Sequence, residues 1–140
     1  MPREYQDYSF VVTQVAGRRL KRLVGAVIDE ASDTAPCVVF AQLDEPQEWH
    51  RFFLQARIAF WEIWDDQKIE EEMDDFNGDD VRLVDYAQLI GGLPIRIETA
   101  AAYADAEDVT HIKLLFENGR SMTLTPDSPD MESNFHIIVS

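Results

Sequence analysis

The chain has 140 residues, the size at which a single domain buries a core that needs no disulfide or metal to support it. Apolar residues make up 46% and aromatics 11%, which excludes a disordered chain; 27 acidic against 12 basic residues leave a formal charge of -15, which disfavours nucleic acid and anionic membrane surfaces as partners. The lone Cys37 cannot form an internal disulfide and reads as a small buried hydrophobe in a reducing compartment. "MPREYQDYSF" lacks a basic then apolar leader, and no apolar run approaches the roughly 20 residues that span a bilayer, so the expected localisation is cytoplasmic.

In chain order, "LKRLVGAVID" (Leu20 to Asp29) and "CVVFAQL" (Cys37 to Leu43) are aliphatic, β-branched runs flanked by turn chemistry, and they predict antiparallel strands. The next stretch, "EWHRFFLQARIAFWEIW", is ambiguous. Trp49, Phe52, Phe53, Ala56, Phe60, Ile63 and Trp64 share a helical face, yet Phe52, Leu54, Ala56, Ile58 and Phe60 alternate as a strand does. The aromatic density favours two strands broken near Gln55 to Arg57, and residues 47–64 stay open between the two readings.

After an acidic run, "VRLVDYAQLIGG" (Val81 to Gly92) predicts a short helix with Tyr86, Leu89 and Ile90 on one face and Gly91 or Gly92 as its stop. "HIKLLFENGRSMTLTP" predicts a hairpin, His111 to Phe116 and Arg120 to Thr125, turning at Asn118-Gly119, the pair that most readily takes positive φ. A polar loop, "PDSPDMESN", leads to a last strand, "FHIIVS" (Phe135 to Ser140).

These signals predict a mainly β (α+β) single domain, 1–140, built as an antiparallel sheet, sandwich or open barrel with one or two short helices. A glycine followed by an aliphatic strand and further strand-like pieces occurs after both Gly17 and Gly92. That echo suggests a duplicated β unit, with halves 8–64 and 86–140 joined by the acidic segment 65–80, although antiparallel β proteins show such spacing by chance as well.

The glycine, the aliphatic strand and the "LLFENG" hairpin resemble small acidic bacterial proteins of uncharacterised or immunity type, which neutralise a toxin encoded beside them. The resemblance covers mainly Leu89 to Thr125 and implies a binding role without assigning any residue.

Catalytic and metal chemistry find little support in the sequence. "DDFNGDD" fails as a calcium loop, because with Gly78 at the sixth position the first and twelfth ligands would be Met73 and Val84. Looser divalent binding by Asp74, Asp75, Asn77, Asp79 and Asp80 is the remaining metal reading. His50, His111 and His136 have no ligand spacing for zinc, and no nucleophile elbow, phosphate loop or dinucleotide fingerprint is present. The expectation is therefore no enzyme, no cofactor and no metal. The basic cluster Arg18, Arg19, Lys21 and Arg22 lacks interleaved aromatics for stacking on bases, and is expected to answer the acidic run or to guard a strand edge.

Asp65 to Asp80 holds nine acidic residues and one lysine, a net of -8. Ile69, Met73 and Phe76 give it an apolar stripe that would dock a short helix. The functional expectation is an immunity-type inhibitor of a basic toxin or nuclease. It would use Asp65, Asp66, Glu70, Glu71, Glu72, Asp74, Asp75, Asp79 and Asp80 for steering and charged contacts, with Trp61, Trp64 and Phe76 as anchors. Tyr5, Tyr8 and Tyr103 are further aromatic candidates. The alternatives are a structural or adaptor domain with a solubilising acidic face, and a divalent-metal protein or enzyme.

Overall fold

The computed structural model describes residues 3–28, 32–44, 46–55, 58–76, 81–126 and 135–140, with the side chains of 3–5, 75 and 76 outside the description. It is mainly β, with 59% of the described residues in strands, one α-helix among them and an antiparallel sheet that does not close into a barrel. The strands are β1 (Arg3–Asp7), β2 (Phe10–Val11), β3 (Arg19–Ile28), β4 (Val38–Leu43), β5 (Glu48–Gln55), β6 (Ile58–Trp64), β7 (Val81–Asp85), β8 (Ile95–Ala104), β9 (Thr110–Phe116), β10 (Ser121–Pro126) and β11 (Phe135–Val139). The helix, α1, is Asp66–Phe76. The main path runs β1-β6-β5-β4-β3-β8-β9-β10-β11, with β7 added to β3 and β2 added to β8.

Two ten-residue strands organise this sheet. β3 and β8 each follow a short 3-10 turn, Thr13–Val15 and Ala87–Ile90, and a glycine in the left-handed region, Gly17 at φ 79° and Gly91 at φ 95°. Each opens a four-stranded meander. The two meet antiparallel at their starts, where Arg19 pairs with Arg96 and Leu20 with Ile95. Beyond that seam each accepts the short strand that precedes the other's turn, β7 on β3 and β2 on β8. The element order thus recurs around the seam, and the second unit's leading strand lies ahead of residue 86.

The sheet folds over at this seam so that β5 and β6 face β9 and β10. Leu23, Val39, Phe52 and Trp61 from one half pack with Ile97, Ile112, Phe116, Leu124 and Phe135 from the other in the main core. A second, smaller core lies on the outer face of the first half, where Ala26, Val38, Phe40 and Trp49 meet Ile69 and Met73 of α1. Coverage on both faces explains why β3 and β4 read as nearly unbroken apolar runs, whereas β9, covered on one face, alternates.

Of the stretch 47–64, Glu48–Gln55 and Ile58–Trp64 are strands, β5 and β6, and not a helix; Phe52 pairs with Trp61 and Phe53 with Phe60. The helix expected over 81–92 is corrected. Val81 to Asp85 pairs antiparallel with β3 as β7, and only Ala87–Ile90 turns, as a 3-10 helix. Leu89 is consequently 37% exposed while Tyr86 and Ile90 are buried. The Asn118-Gly119 hairpin is present, with Gly119 at φ 86°.

Candidate functional site

The first turn of α1 is set by Asp65. Its carboxylate accepts the Lys68 N–H at 2.8 Å, and its carbonyl accepts the Ile69 N–H at 3.2 Å, which satisfies donors that a helix start leaves bare. Asp66 follows at the positive end of the helix dipole and receives Gln47 Nε2 at 2.8 Å. Ile69 and Met73, one turn apart, supply the buried stripe that seats the helix on the sheet.

A second attachment is ionic. Arg51 and Glu62 lie directly opposite each other on β5 and β6, with Nη1 2.9 Å from the Glu62 carboxylate. The same guanidinium holds Glu72 of α1 through Nε at 2.9 Å and Nη2 at 3.2 Å, and it lies over the rings of Phe53 and Trp64. One guanidinium therefore ties both strands to the helix, with the fork geometry that arginine alone provides.

Asp65, Asp66, Glu70, Glu71 and Asp74 are exposed, and Lys68 is the single basic residue of α1. Glu72 is turned inward by Arg51. Asp79 and Asp80, and the side chains of Asp75 and Phe76, lie outside the described residues, as does the Asn77 part of the metal reading.

The aromatic anchors need correction. Trp61 is 1% exposed and stacks on Phe52 at 4.3 Å, so it is core and cannot meet a partner. Trp64 is half-buried, donates its Nε1–H to Glu62 at 3.2 Å, and belongs to the Arg51 attachment. Tyr8 and Tyr103 are exposed, but Tyr103 stacks on His111 in the other half of the sheet.

Among the described residues the basic cluster makes no ion pair with the acidic run. Arg18 binds Glu48 at 2.7 Å and the Pro46 carbonyl, Lys21 reaches Gln47 at 3.2 Å, and Arg22 lies over Trp49. Glu48 also pairs with the fully buried His50 at 2.7 Å. Burial of the Glu48 carboxyl opposes its ionisation, but the hydrogen bonds from His50 and Arg18 outweigh that and hold it below the usual carboxylate range. On β9, His111 bridges Asp105 at 2.9 Å and Thr125 at 3.2 Å. Asp105 is held low first by His111, then by the Val109 and Glu107 amides.

Sequence reasoning missed two pairs built on β5, Glu48 with His50 on one face and Arg51 with Glu62 on the other. The available signal was polar residues at inward positions of β5, and a basic residue facing an acidic one once the β5–β6 register is known. Among the described residues no three His, Cys, Asp or Glu side chains converge on a common point as a metal would require, and no helix is long and apolar enough to cross a membrane. No protein-family model, curated protein or solved structure matches this chain.

Proposed function

We propose that the protein is a non-enzymatic binding protein of the immunity or inhibitor kind, which neutralises a basic toxin or nuclease by presenting the outer face of α1 to it. The observation that carries this reading is a division of labour along one helix. Ile69, Met73 and Glu72 fasten α1 to the sheet, while Asp65, Asp66, Glu70, Glu71 and Asp74 face solvent. A rigid scaffold aims these charges, and aimed carboxylates raise the encounter rate with a cationic groove and suppress acidic competitors.

The helix also works against its own dipole. Its last turn carries Asp74 and Asp75 and no basic residue, where lysine or arginine would be favoured by about 0.3–1 kcal/mol each. Local choices that oppose stability concentrate at functional surfaces. The exposed acids are accordingly assigned to partner contact.

A photo-crosslinking residue placed at Glu70 would trap the partner. The expected partner is basic, and its association rate should fall by about tenfold or more between about 0.05 and 0.5 M salt. An acidic partner, or a rate indifferent to salt, overturns the reading.

A further inference from the structure

A second charged feature has the opposite sign and lies at the β3–β8 seam. Arg19 and Arg96 are direct cross-strand partners, so their side chains leave the sheet on the same face. Like charges set opposite one another across two strands are destabilising. Here the pair lines a recess of about 120 Å³ together with Gly17, Arg18 and Asp44. Arg96 is held in place by donating from Nη1 to the Gly17 carbonyl at 2.8 Å, which leaves its other donors for the recess. Arg18 keeps a buried Nε–H without an acceptor among the described residues. An adjoining recess of about 260 Å³ shares Arg19 and Asp44 and adds Lys21 and the apolar surface of Leu93 and Pro94.

We propose that this seam binds a small phosphate monoester, its phosphate between Arg19 and Arg96 and its carbon portion against Leu93 and Pro94. Planar guanidinium groups match phosphate oxygens two at a time, and a site needs only a few convergent polar groups beside an apolar wall. Among the described lining residues Asp44 is the one carboxylate beside Arg19, Lys21, Arg96 and an Arg18 that is already paired with Glu48, which leaves this lining cationic. A nucleic acid backbone is disfavoured by the charge of -15, which acts on a long polyanion far more than on one phosphate.

Calorimetric titration of the intact protein with phenyl phosphate and with inorganic phosphate, at matched ionic strength in chloride, tests the site. Saturable binding of both is expected, tighter for phenyl phosphate. Arg19→Gln and Arg96→Gln should each weaken it by about tenfold or more, because each removes a charge-assisted hydrogen bond. Both side chains are exposed, so the variants should fold. Absence of saturable binding, or binding unaffected by both substitutions, overturns the proposal; equal affinities for the two ligands overturn the role given to Leu93 and Pro94.

Discussion

The indole N–H of Trp61 points at Nδ1 of His50, 2.8 Å away, inside the core. Indole nitrogen donates only, so this Nδ1 is bare and the ring hydrogen sits on Nε2, which donates to Glu48 at 2.7 Å. Glu48 in turn accepts Arg18. An exposed end of β5 is thereby linked to the main core, on the same strand that carries Arg51 on its opposite face.

Replacing His50 with Phe keeps a ring of similar shape and removes both hydrogen bonds, leaving the Trp61 donor unmatched in a dry site. The expected loss is about 2–4 kcal/mol, read from urea unfolding followed by tryptophan fluorescence. An unchanged midpoint would show that the linkage adds nothing to stability.

Acid should weaken the same linkage. A carboxyl whose folded value is depressed contributes stability that is present above its unfolded value, about 4.3, and that is lost as pH falls through the folded value. Glu48→Gln should therefore be less stable than the parent at neutral pH, with the difference shrinking below about pH 4. A difference constant between pH 7 and pH 3 would contradict the assignment.

Gly25 is required by packing and not by its backbone angles. A Cβ built there would overlap the Tyr86 hydroxyl and lie 2.5 Å from its ring. The Tyr86 hydroxyl is fixed by donating to the Asp33 carbonyl at 2.7 Å, and burial, followed by the Asp33 charge, pushes its pKa well above the usual tyrosine range so that it stays a donor. Gly25→Ala should cost about 1–3 kcal/mol, and pairing it with Tyr86→Ala should give a total smaller than the sum of the two single losses. Additive losses would place the strain elsewhere.

Arg51 is the point at which the acidic helix depends on the sheet. Arg51→Ala takes the guanidinium from Glu62, whose side chain is 8% exposed, and from Glu72 of α1, and should cost about 1.5–3 kcal/mol. Adding Glu62→Gln should restore part of that loss while α1 remains less protected. Hydrogen exchange at Lys68 to Met73 reports the helix separately from the global transition, and unchanged exchange there would contradict the tethering role.

What the sequence made legible follows the physics of each segment. The Asn118-Gly119 hairpin is local chemistry, and the runs around Val24 and Val39 are buried on both faces, so both could be read directly. The stripe of Ile69 and Met73 likewise announced how α1 docks. The helix expected over 81–92 failed because Val81 to Asp85 is a strand only through its pairing with β3, a partner more than fifty residues away. Trp61 was misjudged for the same kind of reason: Glu62 beside it suggested exposure, but neighbouring strand residues face opposite sides. The Arg51 linkage depends on a register and a helix position that no single window contains.

The proposed inhibitor depends on an outward negative field at α1. Paramagnetic relaxation of backbone amides by small cationic and anionic nitroxides measures that field residue by residue. The cationic probe should be enriched over the anionic one at Asp66, Glu70, Glu71 and Asp74, and the excess should shrink in the variant D65N/D66N/E70Q/E71Q/D74N. Equal effects of the two probes along α1, or an excess that neutralisation leaves undiminished, would contradict it.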